Sequence, residues 1–277
     1  MIRAAKAPDS AGSGGGGRWP RALGVARRET RSLFEAPSGY LIVGIFWLVA
    51  GLMMFGKLVQ FELALQALAK SGQMARQPQG LHINDYVVRP FLYDLGSVLI
   101  FFVPLLTMKS FAEERRSGNL ELLLSMPLRG GDVLLGKFLG SLASLGICLS
   151  VLLVQAAILA LASTPDWPAA LTGFLGLLLL GILFTAVGVF LSVLSRSQAE
   201  AAVLSLGVLL MLVIGPDVIL PAAGLHPAAV DSLSLMARFE DFTRGVLDPG
   251  HVAFFLGLSL LALAGALRSL DLVRWQG

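Results

Sequence analysis

Charged side chains are scarce in this chain of 277 residues: Asp, Glu, Lys and Arg make up 14% of it, whereas hydrophobic residues make up 56%. A soluble domain uses about 25% charged residues to cover its surface. Many of the apolar side chains must therefore face lipid. The composition excludes an ordinary water-soluble globular protein.

Cysteine and histidine are scarce as well. Cys148 is the only cysteine, so the chain forms no internal disulfide and gives no indication of a redox compartment. The histidines lie in separate segments, without the spacing of metal ligands. We expect His82, His226 and His251 to be solvated loop residues, and we predict no metal site.

A complete phosphate-binding loop is also missing. Gly131–Phe138 resembles the pattern G-x-x-x-x-G-K-[ST], but Phe138 stands where a Ser or Thr would bind Mg²⁺, and the segment continues into an apolar run. Gly136, Gly140 and Ser144 are better explained as small residues for close helix packing. We therefore predict that this chain binds no nucleotide and has no catalytic site of its own.

The chain does contain six apolar runs long enough for membrane-spanning helices. A helix needs about 20 residues to cross a hydrocarbon core of about 30 Å. The runs are Tyr40–Val59, Phe91–Met108, Leu134–Leu161, Ala169–Leu194, Ala201–Leu220 and Val252–Leu270. The third run is long, so its first turns are expected to project into the cytosol, and Gly215 and Pro216 interrupt the fifth. The predicted fold class is an all-α polytopic membrane protein with six transmembrane helices in residues 39–277.

The basic residues predict the orientation of these spans. Most of the 21 Lys and Arg residues lie before the first run, between the second and third, between the fourth and fifth, or after the sixth. By the positive-inside rule, these segments are cytosolic. Both termini then lie in the cytosol, which requires an even number of spans. We predict a multi-pass protein of a bacterial inner membrane.

The residues before the first span divide into two parts. Met1–Gly17 is rich in Gly, Ala and Ser, which predicts a disordered tail and lacks the apolar core of a cleavable signal. Residues 18–38 are predicted to form an amphipathic helix in the cytosolic interface. The residues that indicate this helix are Trp19 and Leu23 on the apolar stripe and Arg28 and Arg31 off it. For the arginines alone, a charged flank that only sets the topology is an equally good interpretation.

The opposite side of the membrane carries a long semi-apolar segment at residues 215–250. Its prolines are too many for one spanning helix and predict short interfacial or re-entrant helices before the last span. Phe239, Phe242 and Val246 recur at helical spacing, which indicates an amphipathic helix there.

Asp94 and Gln155 are the polar residues most embedded in the spans. Polar groups inside a membrane are functional candidates by default, so both are candidates for a polar pathway. Two plainer interpretations stay open. Asp94 lies near the outer end of its span, where water reaches it, and a single Gln can bond to a neighbouring helix.

The most informative segment is the one between the second and third spans, residues 109–132. It begins with four adjacent charged residues that spread around a helix and cannot all pair locally. These are Glu113, Glu114, Arg115 and Arg116. Gly118 then breaks the helix, and Pro127 ends the short apolar helix that follows. We interpret the segment as a rigid cytosolic elbow whose charges bind a partner; an ordinary charged loop is the alternative.

The elbow sequence SFAEERRSGNLELLLSMPL at residues 110–128, with the pair Gly136–Lys137, resembles the signature of ABC-2 type transporter permeases. More narrowly, it resembles their gliding-motility-type branch. The stretches RETRSLFEAPSGY at 28–40 and MARFEDFTRGVLD at 236–248 are similar to the same branch. The likeness runs from about Arg27 to Trp275.

This resemblance implies a permease subunit that pairs with a second permease subunit, as a homo- or heterodimer, and docks a separate cytosolic ABC ATPase. ATP and Mg²⁺ would be bound by that ATPase, so no cofactor is expected on this chain. The elbow would be the coupling helix that turns ATP hydrolysis into export or mechanical work. The positions carried over from the motif are Glu113, Glu114, Arg115, Arg116, Gly118, Glu121 and Pro127. An extracytoplasmic auxiliary protein and membrane lipid are further expected partners, and nucleic acid is not.

Two other classes of membrane protein fit the sequence less well. A secondary transporter driven by an ion gradient would show inverted repeats, broken helices and midplane charges, which we do not find. A membrane-embedded enzyme would need convergent His, Asp, Ser or metal-ligand residues inside the bundle, and the apolar runs lack them. The semi-apolar outer segment would suit lipid-linked or bulky amphiphilic cargo.

Overall fold

The computed structural model describes residues 18–35, 37–71, 82–116, 130–163, 165–222, 224 and 233–276. All regular structure in these ranges is helical. The helices are α1 (Arg18–Glu35), α2 (Pro37–Ser71), α3 (Arg89–Thr107), α4 (Ala112–Arg116), α5 (Gly130–Leu149), α6 (Val151–Ala162), α7 (Trp167–Leu194), α8 (Gln198–Ala222), α9 (Leu235–Thr243) and α10 (Pro249–Gln276). A single π-helical turn, Asn84–Val88, leads into α3. The predicted disordered tail, Met1–Gly17, lies outside the described residues.

The described part of the chain has six helical segments that are long and apolar enough to span a membrane, which confirms the predicted fold class. They are Pro37–Lys70, Asn84–Arg115, Gly130–Leu161, Trp167–Leu194, Gln198–Ile219 and Pro249–Leu272. The first of these, within the 35-residue helix α2, is about 50 Å long at 1.5 Å per residue. It therefore extends beyond a hydrocarbon core of about 30 Å.

Two spans differ from the sequence prediction in where their helices are interrupted. The third is divided into α5 and α6 by a turn at Ser150, whose hydroxyl donates to the Ile147 carbonyl at 2.6 Å. The fifth is not interrupted at Gly215, because α8 continues as a helix through Pro216 to Ala222. A proline removes one hydrogen bond and its ring crowds the carbonyl four residues before it, but a long membrane-spanning helix tolerates this because its neighbouring turns remain bonded.

The fourth span, α7, is the centre of the bundle. In a continuous apolar stretch of 18 residues, 78% of this span is buried, against 22% for the first and fifth spans and 17% for the sixth. Leu180, Leu183 and Phe184 are fully buried among side chains of the other spans. The first, fifth and sixth spans instead present apolar side chains outward, such as Leu48, Val203 and Leu261, which are 62–70% exposed. This is the pattern of a bundle surrounded by lipid.

The predicted amphipathic helix before the last span is present as α9. Its aromatic residues Phe239 and Phe242 are fully buried, and they pack on α7 where Gly176 leaves room. A Cβ atom on Gly176 would lie 2.5 Å from the Cβ atom of Phe242. Val246 lies beyond the helix, after the turn at Gly245, and is 52% exposed.

Candidate functional site

The predicted elbow begins with a turn that is hydrogen-bonded to the fourth and third spans. The backbone N–H groups of Phe111 and Ala112 donate to Oγ of Ser192 on α7, at 3.0 and 3.2 Å. The hydroxyls of Ser110 and Ser141 lie 3.1 Å apart, and Ser141 belongs to α5. All of these groups are buried. The start of the elbow is therefore fixed to two spans before the charged helix α4 begins.

A buried lysine on α5 connects this turn to the N-terminal helix. Only 3% of the Lys137 side chain is exposed. Its Nζ atom lies 2.9 Å from Oε1 of Glu114 on α4 and 3.4 Å from Oε2 of Glu29 on α1. It also donates to the carbonyl oxygen of Ser110 and lies 5.0 Å from the centre of the Phe111 ring. We call Lys137, Glu29, Glu114 and Ser110 the Lys137 cluster.

The Lys137 cluster satisfies its cation completely. A lysine ammonium has three donors, and Lys137 directs them at two carboxylates and one carbonyl. A buried ion pair adds little net stability, but removing one partner is costly because it leaves the other charge buried. The cluster therefore fixes the relative positions of α1, α4 and α5 more than it stabilises the fold.

Glu29 lies in the most desolvated position among the carboxylates of this cluster. Burial raises the pKa of Glu29 above its ordinary value of 4.5, because desolvation outweighs the attraction of Lys137, and the charge of Glu114 adds to the increase. The contact between α1 and α5 explains the burial. A Cβ atom on Gly140 would lie 2.6 Å from Cβ of Glu29 and 3.1 Å from the carbonyl oxygen of Ala26. Gly140 is thus a close-packing residue, as predicted.

The predicted coupling residues that the structure describes differ in the direction they face. Glu114 and Arg115 face their own chain: Glu114 binds Lys137, and Nη1 of Arg115 donates to the carbonyls of Val193 and Leu194 at 3.3 Å. Glu113 is exposed. For Arg116 only the backbone is described, as the last residue of α4. Gly118, Glu121 and Pro127 lie outside the described residues.

The predicted N-terminal helix is present as α1, and its residues are placed as follows. Leu23 is 58% exposed, and Arg28 and Arg31 are exposed, with Arg31 paired to Glu35 at 3.2 Å. Trp19 lies in the helix, but its side chain is outside the described part. The face of α1 that packs on α5 carries Ala26, which is buried. These positions leave Leu23 and the two arginines available to a surface or a partner.

The two predicted pathway residues line different cavities and differ in environment. Asp94 pairs with Lys57 of α2 at 2.7 Å and is 40% exposed, which agrees with a hydrated position at a span end. Gln155 on α6 is only 6% exposed and lines an apolar cavity. The structure does not bring them into one polar path.

Asp94 belongs to a polar cluster on the side opposite to α1. A cavity of about 300 Å³ there is lined by Asp85, Arg89, Pro90, Tyr93, Asp94, Glu240 and Thr243. Arg89 and Arg244 donate to Oε1 of Glu240 at 2.7 and 2.9 Å. Burial acts to raise the pKa of Glu240, but the hydrogen bonds from Arg89 and Arg244 outweigh it, so this pKa is lowered. The arginine pair ties α9 to the start of α3.

The histidine prediction needs one correction. His251 is not a solvated loop residue: it lies in α10 with 17% of its side chain exposed, and Nδ1 lies 3.8 Å from Oδ2 of Asp241. The centres of the His251 and Phe242 rings lie 6.2 Å apart. His82 is exposed, and His226 is outside the described residues. Within the described ranges, no three His, Cys, Asp or Glu side chains are placed to hold a metal ion.

Sequence reasoning missed Lys137 and Glu29 as site residues. Lys137 entered as part of an incomplete phosphate-binding pattern and as part of the pair Gly136–Lys137 in the family signature, without a role of its own. A lysine at the beginning of an apolar run is itself a signal, because an ionisable residue in a span requires a partner. The two acidic candidates, Glu29 and Glu114, were both in the sequences that carry the family resemblance.

The fold and this site define a class: a six-span helical membrane protein with an N-terminal helix and a charged elbow joined at the base of its third span. Residues 23–262 match the family model of the ABC-2 family transporter proteins, which covers most of the chain. The chain belongs to this family. It is also 31% identical over 171 residues to the "Probable ABC transporter permease protein NosY" of Pseudomonas aeruginosa. That similarity covers 58% of this chain and 58% of the relative's length.

Proposed function

We propose that this chain is the permease subunit of an ABC transporter and converts ATP hydrolysis on a separate cytosolic ATPase into export or mechanical work. Membership of the ABC-2 family supports a permease that has an ATPase partner and pairs with a second permease. The similarity to a probable ABC transporter permease of Pseudomonas aeruginosa supports the same role. The sequence likeness to the gliding-motility-type branch supports a place in that branch, with both termini in the cytosol of a bacterial inner membrane.

The observation that carries the proposal is the attachment of the elbow to the spans. A coupling element must move the membrane domain when its partner moves, so it needs rigid contacts behind it and a free face in front. Glu114 and Arg115 provide the contacts to α5 and α7, and Glu113 remains exposed. An ATPase that displaces α4 therefore displaces the start of the third span and the end of the fourth with it.

The proposed mechanism is mechanical. Closure of the ATPase dimer around ATP and Mg²⁺ moves the elbow, and the hydrogen bonds to Ser141 and Ser192 transmit this movement to the third and fourth spans. The central position of α7 then passes the movement to the rest of the bundle. Two arrangements of the spans, each favoured by a different state of the ATPase, are sufficient for coupling.

In this proposal α1 moves with the elbow. Lys137 binds Glu29 and Glu114 together, so α1, α4 and α5 form one unit on the ATPase side. The exposed Leu23, Arg28 and Arg31 would keep this unit at the lipid interface, where basic residues favour anionic headgroups.

The partner is tested by purification from the native membrane. The full chain, carrying an affinity tag, is solubilised in mild detergent, and Mg²⁺-dependent ATP hydrolysis is measured in the eluate. We expect hydrolysis with the natural chain and at least a severalfold loss with Glu113→Lys, which reverses the exposed charge. Glu62→Lys on the opposite side of the membrane is the matched control. An eluate without ATPase activity would contradict the proposal.

Transmission is tested on the same complex with a fluorescent reporter. The buried Cys148 is replaced by Ala, and Leu247, exposed on the side opposite to α1, is replaced by Cys and labelled. ATP with vanadate should change the reporter signal in this background and in Lys109→Met, but not in Lys137→Met. Lys109 is half-buried and donates to the hydroxyl of Ser38, so it controls for the loss of a positive charge. An unchanged response in Lys137→Met would refute the role of the Lys137 cluster.

A further inference from the structure

The first four spans enclose an apolar cavity of about 180 Å³ on the side of the membrane opposite to α1. Its walls come from α2, α3, α6 and α7, with Met54, Leu92, Leu159 and Phe174 among them. It lies on the side of the bundle opposite to the Lys137 cluster, and it shares no lining residue with the polar cavity around Arg89. An engineered cavity of about 150 Å³ with a similar lining is large enough to bind benzene. The cavity can therefore hold part of one hydrocarbon chain.

The cavity opens sideways toward the lipid. Three of the residues that line it are also among the exposed apolar residues of the bundle surface: Leu153 is 71%, Leu171 is 63% and Trp167 is 43% exposed. A molecule that enters between them comes from the bilayer and not from the water. Trp167 begins the fourth span, where a tryptophan favours the level of the lipid headgroups.

One polar side chain, Gln155, lies in this lining. Its residue is 94% buried, being 6% exposed, and neither Oε1 nor Nε2 has a hydrogen-bond partner among the described residues. An amide in apolar surroundings without a partner is unfavourable, because it loses its hydrogen bonds to water. In a wall that is otherwise hydrocarbon, such a group indicates a ligand with one hydrogen-bonding atom.

The depth of Gln155 in the membrane narrows the chemistry of that ligand. Gln155 lies 18 residues after Lys137, beyond the turn at Ser150, so the path along α5 and α6 between them is about 27 Å at 1.5 Å per residue. Lys137 lies among the charged groups at one edge of the membrane domain. In a hydrocarbon core of about 30 Å, Gln155 then lies close to the opposite edge, where the ester groups of glycerophospholipids lie.

We propose that this cavity binds one acyl chain of a glycerophospholipid from the leaflet opposite to α1, with Nε2 of Gln155 donating to the ester carbonyl. The chain enters between Leu153 and Leu171, its upper methylenes fill the cavity and its remainder stays in the bilayer. Apolar burial supplies the affinity, and the amide selects a lipid that has an acceptor at that level. This binding does not depend on an ATPase, so it stands or fails independently of the proposed function.

The test compares two lipids that differ only in the carbonyl groups. The full chain is reconstituted in nanodiscs of palmitoyl-oleoyl phosphatidylcholine or of its diether analogue, extracted into detergent, and analysed by native mass spectrometry for retained lipid. The headgroup is the same in both, so surface charge does not contribute. We expect the natural chain to retain the diester lipid about two- to tenfold better than the diether lipid, as one hydrogen bond predicts. Equal retention would overturn the proposal.

Three variants separate the amide from the cavity. Gln155→Leu should retain both lipids equally, and a preference that survives this change would overturn the proposal. Ala170→Phe, which fills the cavity, should reduce retention of both lipids, whereas Leu260→Phe on the exposed face of α10 should not.

If Ala170→Phe fails to fold, quenching of Trp167 fluorescence by brominated acyl chains, with the other tryptophans replaced by Phe, gives the same information. Loss of a dimer in Gln155→Leu with unchanged lipid retention would identify a subunit interface instead and reject the lipid site.

Discussion

The Nζ atom of Lys137 lies 2.9 Å from Oε1 of Glu114, and this ion pair joins the end of the second span to the beginning of the third. The same Nζ atom lies 3.4 Å from Oε2 of Glu29, which comes from a helix that precedes all the spans. Glu29 and Lys137 come from elements that are distant in sequence. Their contact is therefore a property of the tertiary fold, and it makes one mechanical unit of the face that is proposed to receive the ATPase.

The first prediction concerns the stability of the Lys137 cluster. Lys137→Met keeps the length of the side chain but removes its charge, so Glu29 and Glu114 lose a shared partner in a partly desolvated position. Breaking a buried pair in this way costs about 3 kcal/mol or more. We expect the free energy of unfolding, measured by denaturation in mixed micelles, to fall by an amount of that order.

Lys109→Met is the control for this change, because Lys109 is also a lysine near the membrane edge but is only half-buried and donates to the hydroxyl of Ser38. It should alter the free energy of unfolding by less than about 1 kcal/mol. The exchange of charges in Lys137→Glu with Glu114→Lys should recover part of the loss. Equal stability of the two single methionine variants would show that Lys137 does not hold the cluster together.

The second prediction follows from the raised pKa of Glu29. The folded protein binds the proton of this carboxyl more tightly than the unfolded chain does, so protonation favours the folded state. This contribution to stability is complete below 4.5, the ordinary pKa of the group, and is lost as the pH rises through the higher pKa in the folded protein. We therefore expect the natural chain to lose stability relative to Glu29→Gln as the pH rises.

The measurement is the apparent melting temperature of both proteins in detergent between about pH 4 and pH 8. Relative to Glu29→Gln, the natural chain should lose stability as the pH rises above 4.5 and reach a plateau when Glu29 is fully ionised. Glu35→Gln serves as the control, since Glu35 is exposed on the same helix. Parallel curves for the natural chain and Glu29→Gln would contradict the prediction.

The spans could be predicted from the sequence because the necessary information is local. A run of about 20 apolar residues spans a membrane wherever it occurs, and six such runs are present. The turn at Ser150 could not be predicted, since neither Gly nor Pro stands there and the run is apolar on both sides. The expected interruption at Gly215 and Pro216 was wrong for the opposite reason: both residues disfavour a helix locally, but α8 continues through them.

The candidate site was only partly predictable. The charge density of the elbow identified Glu114 and Arg115, but their orientation depends on which spans lie beneath them. Glu29 and Lys137 are separated by more than a hundred residues, and no local pattern connects them. A Lys at the beginning of an apolar run could have indicated a buried pair without identifying its partners.

The third prediction concerns the contact between α1 and α5. Gly140→Ala places a Cβ atom 2.6 Å from Cβ of Glu29 and 3.1 Å from a backbone oxygen of α1, so the helices must separate. Overpacking of this kind costs about 1 to 3 kcal/mol. We expect lower stability and faster proteolysis within α1, measured by trypsin cleavage at its arginines. Gly146→Ala, on the same helix with nothing within 4 Å, should behave like the natural chain; similar cleavage in both variants would contradict the close contact.

The fourth prediction uses the opposite pKa shift of Glu240 on the other side of the membrane. Arg89 and Arg244 lower the pKa of this carboxyl, so its contribution to stability is present above the ordinary value of 4.5 and is lost as the pH falls through the lower pKa of the folded protein. Glu240→Gln should cost about 1 kcal/mol or less at neutral pH, because the pairs are partly exposed. The same substitution should also remove the loss of stability that protonation of Glu240 causes at acidic pH.

The two carboxylates thus change the stability in separate pH ranges. Ionisation of Glu29 lowers the stability above pH 4.5, and protonation of Glu240 lowers it below pH 4.5. Melting curves of Glu240→Gln should therefore differ in slope from those of the natural chain only on the acid side. The double variant with Glu29→Gln should lose both slopes additively, since the two groups lie on opposite sides of the membrane domain and share no partner. Glu62→Gln, exposed on the same side as Glu240, is the control and should keep both slopes. A change of slope above 4.5 in Glu240→Gln would contradict the assignment of the acid range to this arginine pair.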